Sequence, residues 1–87
     1  MKVENMVSNK GNKIANQFTI RDEAGITFQS YNSIIAHVDT SGNVTLDVSY
    51  WDYSTTTGKY RNLFLGETRK ETQKKIESGE YKLVNLN

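Results

Sequence analysis

The stretch of this chain best suited to chemistry reads Tyr53-Ser54-Thr55-Thr56-Thr57-Gly58-Lys59-Tyr60-Arg61-Asn62. Hydroxyls at a helix start, followed by Lys59 and Arg61 and bracketed by Tyr53 and Tyr60, suit capture of a phosphate on free amides while the rings stack on bases or seat in a partner. Arg69, Lys70, Lys74 and Lys75 extend the basic surface along the next segment. The binding candidates are therefore Tyr53, Ser54, Thr55, Thr56, Lys59, Tyr60, Arg61, Arg69, Lys70 and Lys74. A plainer account competes: the hydroxyls cap a helix, Trp51, Tyr60 and Phe64 fill the core, and Lys59 and Arg61 form its solvated face. Between these accounts, Trp51, Leu63 and Phe64 read best as core, and Tyr53, Ser54 to Thr57, Lys59 and Arg61 as exposed.

Other chemistry is weakly signalled. His37 and Asp39 stand two apart on one strand, which puts them on the same face, as a general base oriented by a carboxylate requires. No third group accompanies them. Asp39, Asp47 and Asp52 are oxygen ligands of the kind Mg²⁺ takes, yet carboxylates near turns ordinarily serve local hydrogen bonds. No glycine pattern of a phosphate-binding loop follows a strand. The chain has no cysteine and one histidine, which excludes disulfides, thiolate zinc sites and imidazole cages. A non-enzymatic protein is expected, with no catalytic residue, metal or cofactor.

Charge is uneven. The net charge is +1, but residues 1–58 carry four basic and six acidic side chains, whereas residues 59–75 carry six basic and two acidic ones. Positive charge thus gathers beside the segment from Tyr50 to Leu65, which holds five of the nine aromatic residues and the only tryptophan. Eighty-seven residues suit one domain, residues 1–87, near the size where a single core gives marginal stability. No apolar run exceeds three residues, as in Ile34-Ile35-Ala36, too short to span a bilayer, and the N-terminus lacks the apolar stretch of a signal peptide, so a cytoplasmic protein without membrane contact is expected. The sequon Asn43-Val44-Thr45 then reads as a coincidence of a turn.

These residues need elements to hold them. Ile14, Asn16, Phe18 and Ile20 alternate with Ala15, Gln17, Thr19 and Arg21, as in a strand with one buried and one solvated face. Ile26 and Phe28 answer them across Asp22-Glu23-Ala24-Gly25, a hairpin loop in which Gly25 takes positive φ. Ile34–Val38 and Val44–Val48 flank the turn formers 39–43, with Val44, Leu46 and Val48 on one face. Ser54 or Thr55 caps a helix that Gly66 ends. Thr68-Arg69-Lys70-Glu71 is a capping box opening a second helix, with only Thr72 and Ile76 inward and a Glu71–Lys75 pair one turn apart. That narrow stripe argues against a DNA-reading helix-turn-helix. Tyr81 and Leu83 return as a last strand. Lys2–Val7 is either an edge strand or a frayed end, within a terminal stretch 1–12 that includes a loop. The expected fold is α+β: a small antiparallel meandering sheet of four to six strands with two short helices before the last strand. Without proline its edges lack one common protection, which leaves a homodimer through an exposed strand edge open.

Phe28-Gln29-Ser30-Tyr31-Asn32-Ser33-Ile34-Ile35-Ala36, a glycine turn with a short strand, and Tyr53 to Leu65 together resemble a group of small tailed-phage, prophage and mobile-element proteins of unassigned function. In that group a basic residue often precedes the Thr-Thr pair and histidine often stands where this chain has Tyr60. The resemblance implies a viral or mobile-element origin and a small single domain, with no catalytic residue to carry over. Two functions are then expected. One is a non-enzymatic protein docking on a host protein or nucleoprotein, such as an anti-CRISPR-like inhibitor of a defence nucleoprotein. The other is direct binding of single-stranded or structured nucleic acid by the basic, aromatic 53–75 surface.

Overall fold

Alternation at a period of two lays down five strands in succession before the chain turns helical. The computed structural model describes residues 1–87: β1 (Lys2–Val7), β2 (Lys13–Asp22), β3 (Gly25–Ser30), β4 (Ser33–Asp39), β5 (Val44–Asp47), α1 (Thr55–Leu65), α2 (Arg69–Glu77) and β6 (Lys82–Val84). All six strands form one sheet in chain order. The first five pair antiparallel; β6 pairs parallel to β5, so the sheet is mixed where a purely antiparallel meander was expected. The reason is topological, because two helices between β5 and β6 carry the chain back to the end of the sheet at which β5 began.

The register shows which side the helices cover. Glu4, Thr19, Phe28, Ala36, Leu46 and Leu83 stand opposite one another in one row across the sheet. Phe28 stacks on Phe64 of α1, with ring centroids 5.6 Å apart, so this row faces the helices. Its apolar part starts only at β3. Accordingly Ala36, Val44, Leu46 and Tyr81 form the buried cluster, against which Val38, Trp51, Phe64, Leu65 and Ile76 pack. Val3, Ile20, Thr27, His37 and Thr45 make the adjacent row on the opposite, uncovered face. Phe18 and Ile20, the apolar side of β2, thus lie on that open face and are only half-buried, while Gln17 on the helix side is fully buried, the reverse of the burial their polarity implies.

Two hairpin turns set the strand ends. At Gly25, with φ 133°, an added Cβ would come within 2.9 Å of the Asp39 Cα on β4, so the close approach of β3 to β4 requires glycine. Asp22 accepts the Ala24 N–H and closes the loop. Between β3 and β4 the turn falls on Tyr31-Asn32, and Tyr31 takes the left-handed conformation, φ 54°. Lys2–Val7 is an ordered edge strand whose outer side is unpaired. Val48 lies beyond the end of β5 and is exposed, so the expected Val44-Leu46-Val48 face stops at Leu46.

The second helix starts as its sequence dictates. Thr68 accepts from the Glu71 N–H and Glu71 accepts from the Thr68 N–H. Committed to this box, Glu71 does not form the expected pair with Lys75. Lys75 instead donates to Glu67 at 2.8 Å, and Glu67 also accepts from Thr72 and from the Tyr81 hydroxyl. One buried carboxylate thus joins the α1–α2 turn, α2 and the approach to β6.

Burial pushes the Glu67 carboxyl upward, but the bonds from Lys75, Thr72 and Tyr81 outweigh it and hold the acid below its ordinary value. A carboxyl depressed in the folded state adds stability that is present above its unfolded value, about 4.5, and is lost as pH falls through the folded one. Glu67→Gln should therefore cost about 2 kcal/mol at neutral pH and much less at acid pH. Urea unfolding at pH 7 and at about pH 3 measures this; an equal loss at both values would refute the role.

Candidate functional site

Asp47 ends β5 and shapes the turn after it. Its side chain, 1 % exposed, accepts the N–H groups of Ser49, Tyr50 and Leu86 at 3.0, 2.9 and 2.8 Å, and its carbonyl accepts from Trp51. Burial raises this acid, and the bonds from Leu86, Asn87, Ser49 and Tyr50 together bring it below its ordinary value. The tight turn this builds presents Tyr50, Trp51, Asp52 and Tyr53 in sequence. Ser54 then caps α1 by accepting from the Thr57 N–H at 3.1 Å.

Arg61 is the largest fully buried side chain, 1 % exposed, which corrects its expected place on the solvated face. The Nη1 donates to the Trp51 carbonyl at 2.6 Å and to Asp52 at 3.1 Å, and Nη2 donates to the Asn62 side chain at 2.9 Å. The guanidinium lies 5.3 Å from the Trp51 ring centroid. Arg69 grips the other Asp52 oxygen at 2.7 Å and lies 5.6 Å from the same ring. Two of the ten binding candidates, Arg61 and Arg69, are therefore spent clamping the 51–52 turn to the helices. The signal was in the spacing: Thr57, Arg61, Phe64 and Leu65 recur at helical intervals and form the inward stripe, with arginine at an apolar position. Thr57 is likewise buried, and its hydroxyl meets that of Ser30 at 3.0 Å. Leu63, expected in the core, is 59 % exposed.

The remaining candidates stay outside but are not brought together. Tyr53 is 68 % exposed; Thr55 and Thr56 are exposed, and Ser54 is taken by the cap. Lys59 reaches over the half-buried Tyr60 ring, 5.4 Å from its centroid. Lys70 and Lys74 are exposed on α2 without an ion pair. A groove of about 960 Å³ runs between α1 and the Asp52–Arg69 pair, lined by Gly58, Lys59, Asn62 and Leu63 among others.

A second hollow joins residues far apart in the chain. Tyr31, Asn32 and Ser33 of the β3–β4 turn meet Tyr50 and Tyr53 around a pocket of about 410 Å³, with Ser30 and Thr57 in its wall. Tyr31 is 51 % exposed, and Tyr50 meets Tyr53 edge-on at 5.4 Å. No charged residue lines it. Sequence reasoning misses Tyr31, Asn32 and Tyr50 because nothing local marks Tyr31 as a turn residue, and only the Asp47 turn carries Tyr50 to the strand end.

The acids and the histidine are engaged in local hydrogen bonds. His37 Nε2 donates to the Ala24 carbonyl at 3.2 Å, and Nδ1 meets the Thr27 hydroxyl at 2.9 Å. Asp39 accepts from Ser41 and Asn43 instead of orienting that ring. Asp39, Asp47 and Asp52 occupy three separate turns, and no three His, Cys, Asp or Glu side chains cluster as metal ligands. No helix is long and apolar enough to cross a membrane.

A family model described as a family of unknown function (DUF8033) matches residues 1–80. No curated protein and no solved structure matches the chain.

Truncating Arg61 empties the space of the largest buried side chain and takes the donors from the Trp51 carbonyl and the Asn62 side chain, while Asp52 keeps Arg69. Arg61→Ala should therefore cost about 3 kcal/mol or more, whereas Lys59→Ala, two residues away on the solvated side, should change stability by less than about 0.5 kcal/mol. Urea unfolding of both variants at neutral pH reads the contrast, and similar losses would contradict the inward assignment of Arg61.

Proposed function

We propose that this chain, which belongs to the family of unknown function DUF8033, is a non-enzymatic protein that docks on a host macromolecule through the surface around Tyr31, Tyr50 and Tyr53. One observation carries the reading: three tyrosines, two of them more than half exposed, ring an uncharged pocket edged with serine, threonine and asparagine. Tyrosine brings large contact area at small cost in side-chain entropy, and small hydroxyl and amide groups beside it adapt their hydrogen bonds to a partner. Such a mixture favours a protein partner. The finer proposal is a cytoplasmic phage or mobile-element protein that inhibits a bacterial defence nucleoprotein in anti-CRISPR fashion. Its phage or mobile-element part draws on the resemblance carried by Phe28 to Ala36 and Tyr53 to Leu65, which implies an origin and no activity.

The alternative is nucleic-acid binding by the 53–75 surface, favoured by the unpaired Lys59, Lys70 and Lys74. It is weakened by the loss of Arg61 and Arg69 to the Asp52 clamp.

The two readings respond oppositely to substitution. With a host partner isolated by affinity capture and its binding measured in purified form, Tyr31→Ala with Tyr53→Ala should lower affinity about 30-fold or more, while Lys59→Glu with Lys70→Glu and Lys74→Glu leaves it within about threefold. Oligonucleotide binding that is strong at about 50 mM salt, collapses by about 200 mM and disappears in the lysine variant would favour the alternative. A partner lost by the lysine variant and kept by the tyrosine variant would reject the proposed surface.

A further inference from the structure

Building on that docking reading, we infer that the tyrosine pocket receives an uncharged carboxamide, an asparagine or glutamine side chain presented by a partner polypeptide, and that Gln17 behind its wall is the residue that recognises it.

Three departures from ordinary structure meet at this spot. The Gln17 side chain is fully buried, and neither its Oε1 nor its Nε2 has a hydrogen-bond partner. Its amide holds two donor hydrogens and an acceptor oxygen, all idle in a place where buried polar groups are otherwise paired. Beside it, Asn16 and Tyr31 both adopt left-handed backbone, φ 64° and 54°, and the Tyr31 N–H donates to the Asn16 carbonyl at 2.7 Å. Left-handed backbone is costly for an aromatic residue, and such strain gathers where a ligand is gripped. Third, Gln17 stands directly opposite Ser30 in the strand register, on the same face of the sheet. The Ser30 hydroxyl meets Thr57 at 3.0 Å, and this hydroxyl pair is part of the pocket wall. Gln17 does not line the pocket itself but stands next to Ser30, which does.

The lining narrows the ligand. No cation borders the pocket, so phosphates and carboxylates find no counter-charge there, and Lys59 borders the other groove. A volume of about 410 Å³ holds a side chain with room to spare, so the uncharged polar lining selects the ligand. A carboxamide presents a donor and an acceptor side by side, the complement of the idle Gln17 amide. Parting of Ser30 from Thr57 and rotation of the Gln17 side chain bring the two amides together.

Gln17→Met keeps the length and removes the amide. In the free protein it should raise the melting temperature by about 4 °C or more, since an apolar side chain of similar shape suits a buried site that offers no partner. Random peptides displayed against the wild type should enrich uncharged sequences containing asparagine or glutamine, and Gln17→Met should weaken the selected peptides at least tenfold. A lower melting temperature, enrichment of acidic peptides, no enrichment, or affinity indifferent to Gln17→Met would each overturn the inference. Selected peptides lost with Tyr53→Ala but kept with Gln17→Met would leave the docking surface standing and reject the role of Gln17. Peptides indifferent to both changes would reject both.

Discussion

The guanidinium of Arg61 has exchanged water for the Trp51 carbonyl, the Asp52 carboxylate and the Asn62 amide, and the position of the tyrosine-bearing turn depends on that exchange. An ion taken out of solvent is tolerated only when it is paired and hydrogen-bonded, and here three of the five guanidinium N–H groups are bonded, Nε having no partner. Because the acceptors sit on the 51–52 turn and the donor on α1, helix and turn must move as one body. Arg69 closes the same carboxylate from α2, so one aspartate ties three pieces of chain together.

This dependence on polar contacts reflects how little apolar side chain is buried. Phe28, Ile35, Ala36, Val44, Leu46 and Tyr81 are the buried apolar residues, matched in number by Gln17, Ser30, Asp47, Thr57, Arg61 and Thr72. A core of that make-up gains less from the hydrophobic effect than its volume suggests, and unpaired groups inside it cost more. Asp47, Glu67 and Arg61 meet the demand by drawing bonds from several elements each. Gln17 does not, and its amide is left without a partner beside the Ser30–Thr57 hydroxyl pair.

Much of the fold was legible because it is written in local rules. The cap at Ser54, the left-handed stop at Gly66 and the Thr68–Glu71 box each depend on residues within one turn of one another. The Asp39 turn between β4 and β5 is equally local. What stayed hidden needed distant partners. The parallel pairing of β6 leaves no trace in β6 itself, and Phe18 and Ile20 advertise a buried face that no helix covers. Lys59 and Arg61 look equivalent in a basic run, yet two residues on a helix point in widely different directions, so one meets solvent and the other the core. The candidate site was half visible: Tyr53 stood out, but Tyr31 comes from the β3–β4 turn and Gln17 from β2, both far earlier in the chain.

The parallel strand also imposes an order of events. Hairpins β2 to β5 close short loops, but Leu46 must wait for Leu83, and the Asp47 carboxylate for the Leu86 amide, across the whole helical excursion. Loop closure of that length is slow, so the meander forms first and the turn carrying Tyr50 and Tyr53 acquires its final shape last. During synthesis the nascent chain therefore holds a nearly complete sheet whose 48–53 turn stays unfinished until β6 docks.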